Sequence, residues 1–275
     1  MKNKIVLITG GNAGIGKATA TGLAKMGATV VIACRNKEKG FQAVEEIKKE
    51  SNNQNVDLLI MDLASQKSVH NAVVDFKKRY NRLDVLINNA GVFLPQRELT
   101  EDGIEKTFAT NYLGHFLLTN LLLDTLKTSA PSRIVNVASK TGSAKINFDD
   151  LMLEKKFSVM SAVPPTKLGL IMFTKELSKK LEGTGVTINA LHPGLVRTGI
   201  LKDMSGFMRF MFKLIPHATP EKGAATSIYL ASSPEVEKVS GKFFTDKKEI
   251  PAPAEANDES KNRKLYEVSM KLAKL

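Results

Sequence analysis

Ile5-Val6-Leu7-Ile8-Thr9-Gly10-Gly11-Asn12-Ala13-Gly14-Ile15-Gly16 decides the fold. A β-branched run from Lys4 ends at Ile8, and a helical pattern from Lys17 to Met26 follows Gly16, so the stretch reads as strand, glycine turn and helix. Glycines let the chain turn sharply and let a pyrophosphate approach bare backbone. The unpaired N–H groups and positive end of the following helix attract its charge. The turn therefore predicts a nucleotide ligand. Its spacing, T-G-x-x-x-G-x-G, differs from the general G-x-G-x-x-G fingerprint, and a tight strand-to-helix turn without a ligand is the competing reading.

Outward from this turn, apolar runs of strand length recur at Thr29 to Ala33, Val56 to Met61, Val85 to Ile87, Ile134 to Val137 and Val186 to Leu191. Most are nearly continuous, as in strands covered on both faces. Helical patterns lie between them at Gly14 to Met26, Lys37 to Lys49, Lys67 to Tyr80, Ile104 to Lys127 and Thr166 to Leu181. This alternation predicts an α/β fold, a single-domain, Rossmann-type, doubly wound parallel sheet with helices on both faces, binding its ligand at the carboxyl ends of the strands. No repeat or linker divides the chain, so residues 1–245 form the dinucleotide-binding and catalytic domain and 246–275 a polar and helical extension packed on it. In that extension Leu265, Val268, Leu272 and Leu275 fall on one helical face, predicted to dock on the body or on a second subunit.

With 275 residues, 43% hydrophobic and 25% charged, the composition is that of an ordinary globular protein. The single cysteine, Cys34, excludes an intrachain disulfide and a cysteine-built metal site, and fits a reducing, cytoplasmic setting. Met1-Lys2-Asn3-Lys4 runs directly into the first strand, which leaves no room for a signal peptide, and no apolar run reaches the ~18 residues of a membrane span. The net charge of +12 is dispersed over helix faces, without a basic stripe interleaved with aromatics, so no nucleic-acid partner is expected. The four histidines form no metal constellation, and no metal is expected.

Six features follow one another in the order seen in short-chain dehydrogenases/reductases. They are the glycine turn, Asn88-Asn89-Ala90-Gly91, Asn111, Ser139, Lys167 and Pro193-Gly194. The chain resembles that superfamily over about residues 3 to 245. The wording Asn111-Tyr112-Leu113-Gly114-His115-Phe116, Lys167-Leu168 and Gly241-Lys242-Phe243-Phe244 looks most like its retinol-dehydrogenase-like branch, which acts on lipophilic alcohols and carbonyls. The resemblance implies that Thr9, Gly10, Asn12, Gly14, Ile15 and Gly16 hold the pyrophosphate end of the cofactor and that Asp62 touches the adenine. It implies that Asn88, Asn89, Ala90 and Gly91 line the cofactor groove, and that Lys167, Pro193, Gly194 and Thr198 complete the site, Thr198 on the nicotinamide carboxamide. Dimers or tetramers are also family habits.

Cofactor choice has a physical handle after the second strand, where a carboxylate would accept from the 2′-hydroxyl of NAD and repel a 2′-phosphate. Cys34-Arg35-Asn36 stands there instead. The planar, permanently charged fork of Arg35 suits a phosphate, which predicts NADP(H).

The resemblance also assigns catalysis to a tyrosine four residues before the lysine, a serine that orients the substrate oxygen, and an asparagine that anchors a relay water. Ser139, Asn111 and Lys167 match; the tyrosine position holds Val163. Valine cannot move a proton, and losing a positioned general acid costs ~10²–10⁴ in rate. Pro164 and Pro165 follow, so the helix is expected to begin near Pro164, with Lys167 in its first turn. Substitute acids include Tyr112, expected to face elsewhere, and Ser139, Ser161, Thr166 or a water polarised by Lys167. His115 and His192 read as helix and loop hydrogen-bonders.

The expectation is an NADP(H)-dependent oxidoreductase for a small carbonyl or alcohol, with impaired activity compatible with Val163. The alternative is an inactive NADP(H)-binding regulatory or scaffold protein. Val163 would then mark either natural loss or an alteration of an active enzyme. The Met- and Phe-rich stretch Ile200 to Phe212 reads as an apolar lid over a lipophilic substrate, as a buried core helix, or as a peripheral membrane contact.

Overall fold

The apolar runs become the strands of one sheet. The computed structural model describes residues 1–194 and 218–275. In chain order the elements up to the middle of the sheet are β1 (Ile5–Thr9), α1 (Gly14–Lys25), β2 (Thr29–Cys34), α2 (Lys37–Ser51), β3 (Val56–Ile60), α3 (Gln66–Arg79) and β4 (Val85–Asn88). Then come α4 (Lys106–Phe108), a π-helical turn (Ala109–Leu113), α5 (Gly114–Thr128), β5 (Ser132–Val137), α6 (Val159–Lys180) and β6 (Val186–His192). After the undescribed stretch follow α7 (Pro220–Ser232), β7 (Phe243–Thr245), β8 (Lys248–Ile250) and α8 (Glu259–Leu272). The strand order is β3-β2-β1-β4-β5-β6-β7-β8, parallel except for β8, which runs antiparallel to β7.

Period-two alternation explains the continuous apolar runs. Val6 and Ile8 of β1 pack with Val30, Ile32, Val85 and Ile87 under α1 and α2. Leu7 points the other way, with Val31, Leu86 and Ile134, under α3, α5 and α6. Each such buried aliphatic side chain stabilises the fold by about 1.5–3 kcal/mol relative to exposure. The order reverses between β1 and β4, so both chain directions from that point deliver loops to the same carboxyl edge.

Four expectations need correction. The helix expected over Ile104 to Lys127 is interrupted at Ala109–Leu113, where an extra residue widens the turn that carries Asn111. Gly114 follows it, where a Cβ would strike the Leu63 carbonyl oxygen.

Helix α6 starts at Val159, not near Pro164. Ser158 accepts from the Ser161 backbone while the Ser161 hydroxyl accepts from Ser158, and this reciprocal cap holds the turn ahead of the prolines. Lys167 therefore lies in the third turn.

The buried stripe of α8 is Asn262, Leu265 and Ser269, with Ala273 beyond its end, whereas Leu275 is exposed and Val268 only partly covered. Two polar residues sit in that stripe because each has a partner: Asn262 donates to the Ala256 carbonyl, and Ser269 meets the Tyr112 hydroxyl. Finally, α7 and the β7–β8 hairpin extend the fold beyond the six expected strands. Thr219 caps α7, with Pro220 in its first turn.

Candidate active site

The glycine turn closes against the residues that follow β4. Gly10 and Gly14 have φ of +65° and +52°, a left-handed conformation that favours glycine. A Cβ on Gly10 would lie 3.0 Å from the Ala90 Cα, and one on Gly16 would enter the Gly10 carbonyl oxygen and meet Asn89 Nδ2 at 2.5 Å. Thr9 organises this junction: its Oγ1 accepts from the backbone N–H groups of Asn89 (2.8 Å) and Ala90 (3.0 Å), and Asn89 Nδ2 donates to the Thr9 carbonyl at 2.8 Å. Asn12, Gly14 and Ile15 remain partly covered at the rim.

Ala13 offers α1 no side-chain cap, and the first turn holds no acidic residue. By contrast α2, α3, α6, α7 and α8 each begin on a side chain that accepts from their first turn. Open donors at a helix start beside a cradle that any Cβ would fill fit the pyrophosphate of a dinucleotide.

Asn88 is corrected. Its side chain is fully buried in the sheet, donating to Asn136 Oδ1 (2.8 Å) and Thr119 Oγ1 (2.9 Å), and does not line a groove. At the end of β2, Cys34 donates to the Asn36 carbonyl and burial pushes its thiol up, while Asn36 caps α2. Arg35 is exposed, and among the described residues no carboxylate pairs with it. The Asp62 carboxylate follows β3 and takes the Ala64 N–H on Oδ1 at 2.9 Å.

Asn111, Gly91 and Lys167 converge. A Cβ on Gly91 would stand 3.5 Å from Lys167 Nζ and 3.6 Å from Asn111 Oδ1. The Asn111 amide is held at both ends by Val92: Oδ1 accepts from the Val92 N–H (2.7 Å) and Nδ2 donates to the Val92 carbonyl (3.0 Å). Its main-chain carbonyl lies 3.2 Å from His115 Nδ1. Lys167 Nζ donates to the Val137 carbonyl at 2.9 Å, and burial pushes its ammonium down to about 8. Val163, one turn earlier on α6, is a buried aliphatic side chain.

The other hydroxyls near α6 are occupied. Ser161 belongs to the cap with Ser158, and Thr166 donates to the Val163 carbonyl at 2.7 Å. Tyr112 is buried on Ser269, and burial pushes its phenol above the ordinary range. Ser139, after β5, stands 3.4 Å from His192 Nδ1. Gly194 follows Pro193 with φ of +83°. Thr198 and the stretch from Ile200 to Phe212 lie outside the described residues.

Two histidines take parts that sequence spacing does not signal. His115 is fully buried and joins Thr9 Oγ1, 2.9 Å from Nε2, to the Asn111 carbonyl. Burial and the nearby Lys167 charge push it down to about 3, so it is a neutral cross-link. His192 reaches Ser139 across 53 residues of chain, a distance no local motif bridges. Among the described residues no group of three or more metal-ligating side chains occurs, and no helix is long and apolar enough to cross a membrane.

A doubly wound parallel sheet with a glycine cradle after β1 defines an α/β fold of the nucleotide-binding kind. The chain belongs to the short chain dehydrogenase family, whose pattern matches residues 4–207. It is 46% identical to human "Retinol dehydrogenase 14" over 98% of this chain and 86% of that protein. It is 45% identical to mouse "Retinol dehydrogenase 13" over 99% and 84% respectively. Among solved structures it is similar to a putative uncharacterized protein from Mycobacterium paratuberculosis, with a TM-score of 0.81 and 31% identity over 99% of this chain and 94% of that one. It also resembles the 3-ketoacyl-(acyl-carrier-protein) reductase of Brucella melitensis complexed with NADH, with a TM-score of 0.70 and 25% identity over 88% and 96%. The Pseudomonas aeruginosa RhlG/NADP active-site complex is as similar, with a TM-score of 0.70 and 25% identity over 89% and 94%. A nicotinamide cofactor is thus a property of the fold's neighbours.

Proposed function

We propose that this chain is an NADP(H)-dependent oxidoreductase that interconverts a lipophilic alcohol and its carbonyl. The observation that carries the reading is the convergence of Gly91, Asn111 and Lys167 beside the uncapped start of α1. The bound nicotinamide would supply or accept the hydride. The backbone of Gly10 to Gly16 would hold the pyrophosphate, Arg35 a 2′-phosphate and Asp62 the adenine. Asn89, Ala90, Gly91, Pro193, Gly194 and Thr198 would flank the rest. Lys167, held on Val137, places a positive charge where negative charge develops on the substrate oxygen, and Ser139 orients that oxygen.

Similarity to retinol dehydrogenases supports the lipophilic substrate class, and the open guanidinium of Arg35 supports NADP(H) over NAD(H). Val163 removes the phenol that the family places there, so turnover runs below the family's level. The test is titration with NADPH and NADH followed by turnover of aromatic and long-chain aldehydes, in the parent and in Val163→Tyr. The variant is expected to gain ~10²-fold in kcat, the lower part of what a positioned acid contributes. Tight NADPH binding with no turnover in either protein would leave a cofactor-binding protein instead.

A further inference from the structure

We infer that Ser139 and His192 form a proton-relay pair, in which Ser139 takes the proton of an alcohol substrate and passes its own to His192, in place of the phenol absent at Val163. This rests on the oxidoreductase reading above. Ser139 leaves β5 and His192 ends β6, neighbouring parallel strands, and the pairing of His192 with Thr245 of β7 fixes the imidazole's backbone. Ser139 Oγ lies 3.4 Å from His192 Nδ1, and the Lys140 backbone N–H donates to the same nitrogen at 3.2 Å. A ring nitrogen that accepts an N–H carries no proton, so the imidazole is neutral with its hydrogen on Nε2, and Nδ1 faces the serine as a base. Catalytic contacts of this length tighten when substrate fills the site.

The surroundings keep the ring in that state. Burial and the Lys140 ammonium, after β5, disfavour imidazolium, and Asp246, in the β7–β8 turn, favours it; the net effect holds His192 below its ordinary value. The remaining hydroxyls that could replace a phenol are engaged elsewhere, Tyr112 on Ser269, Thr166 on the Val163 carbonyl and Ser161 in the α6 cap.

In alcohol oxidation the substrate O–H bond breaks and its proton moves to Ser139 Oγ. The serine's own proton moves to Nδ1, which gives up the Lys140 contact and becomes part of an imidazolium. The substrate C–H electron pair departs as hydride to the oxidised nicotinamide as the C=O bond forms. The imidazolium then returns its proton to solvent. His192 acts through Ser139 and is a positioning residue for the proton, not a group on the substrate.

The first test needs no turnover. Nitrogen-15 NMR of the cofactor-free protein is expected to show His192 as the Nε2–H tautomer, titrating below ~6.5, the ordinary histidine value. Ser139→Ala is expected to move that midpoint. An Nδ1–H tautomer, or a midpoint indifferent to Ser139, overturns the pair.

Kinetically, kcat for alcohol oxidation is expected to rise with pH through the same midpoint. His192→Gln is expected to lose ~10²-fold in kcat, with little change in KM, and to lose the inflection. Added imidazole is expected to restore part of the rate in His192→Gly. Unchanged turnover in His192→Gln, or an inflection that survives it, overturns the relay and leaves the oxidoreductase reading intact. Turnover in Val163→Tyr but none in the parent does the same; no turnover in either removes both.

Discussion

The cradle around α1 and the helix start of α6 lie on the same carboxyl edge of the sheet and are finished in opposite ways. Helix α1 begins on Ala13 with its first-turn donors left open, and the glycines around it are packed so tightly that Asn89 and the Gly10 carbonyl occupy the space of a missing Cβ. Helix α6 begins on a serine that closes its own first turn, and further along Thr166 turns inward to a carbonyl of the same helix. The first arrangement reserves backbone polarity for a ligand. The second consumes its side-chain polarity internally, with Val163 buried one turn before Lys167. The two sides are therefore built from separate contacts, and a change in one can be read apart from the other.

That separation can be broken most severely on the cradle side. Gly16→Val puts branched carbon into the Gly10 carbonyl, and NADPH binding is expected to disappear by fluorescence titration while the fold persists by circular dichroism. Retained binding would mean that the cradle tolerates what its geometry forbids.

His115 ties Thr9 of the cradle to the carbonyl of Asn111, and its effect is read in pH. Its folded-state value of about 3 lies below the unfolded ~6.5, so the unfolded chain binds the extra proton. Stability is therefore complete above about 6.5 and falls as pH drops from there toward 3, by up to about 1.4 kcal/mol per pH unit. Denaturant unfolding across that range should show the slope in the parent and lose it in His115→Gln.

Arg35→Ala sharpens the cofactor side alone. A charge-assisted bond of about 1.5–3 kcal/mol corresponds to a loss of NADPH affinity of about 10- to 100-fold, with NADH affinity unchanged. An equal loss for both nucleotides would make Arg35 a general contact. The smallest effect is expected at the α6 start, where Ser158→Ala removes the cap and lowers stability by about 1 kcal/mol. No change in the unfolding midpoint would place the working start of the helix at the prolines.

The legible parts of the chain were those with local signals. Strands β1, β2 and β4 to β6 are covered on both faces and read directly as apolar runs, the edge strand β3 keeps an apolar run although Ile60 is exposed, and the glycine turn carries its own conformational demand. The start of α6 is hidden in the sequence because Pro164 and Pro165 are stronger helix-start signals than Ser158 and Ser161, although the reciprocal serine cap is what secures the first turn. The β7–β8 hairpin has strands of three residues, too short to show periodicity, and Thr219-Pro220 was an available start signal for α7. At the site, Asn111 and Lys167 were visible through resemblance, but the engagement of the Asn111 amide by Val92 was not. The roles of His115 and His192 depend on contacts across 106 and 53 residues, which no spacing rule encodes.

The amides inside the sheet have a further consequence. Asn88 faces Asn136 directly in the β4–β5 register, and Asn136 donates in turn to Thr174 of α6 at 2.8 Å. A slip of one residue between these strands would turn the amides into the opposite apolar layer, each losing a bond worth about 1 kcal/mol and leaving polar groups stranded in hydrocarbon. The line from Asn88 to Thr174 works as a key that admits a single alignment. Gly91 and Ser139, which follow β4 and β5, and Lys167 on α6 are kept in phase by a contact none of them makes.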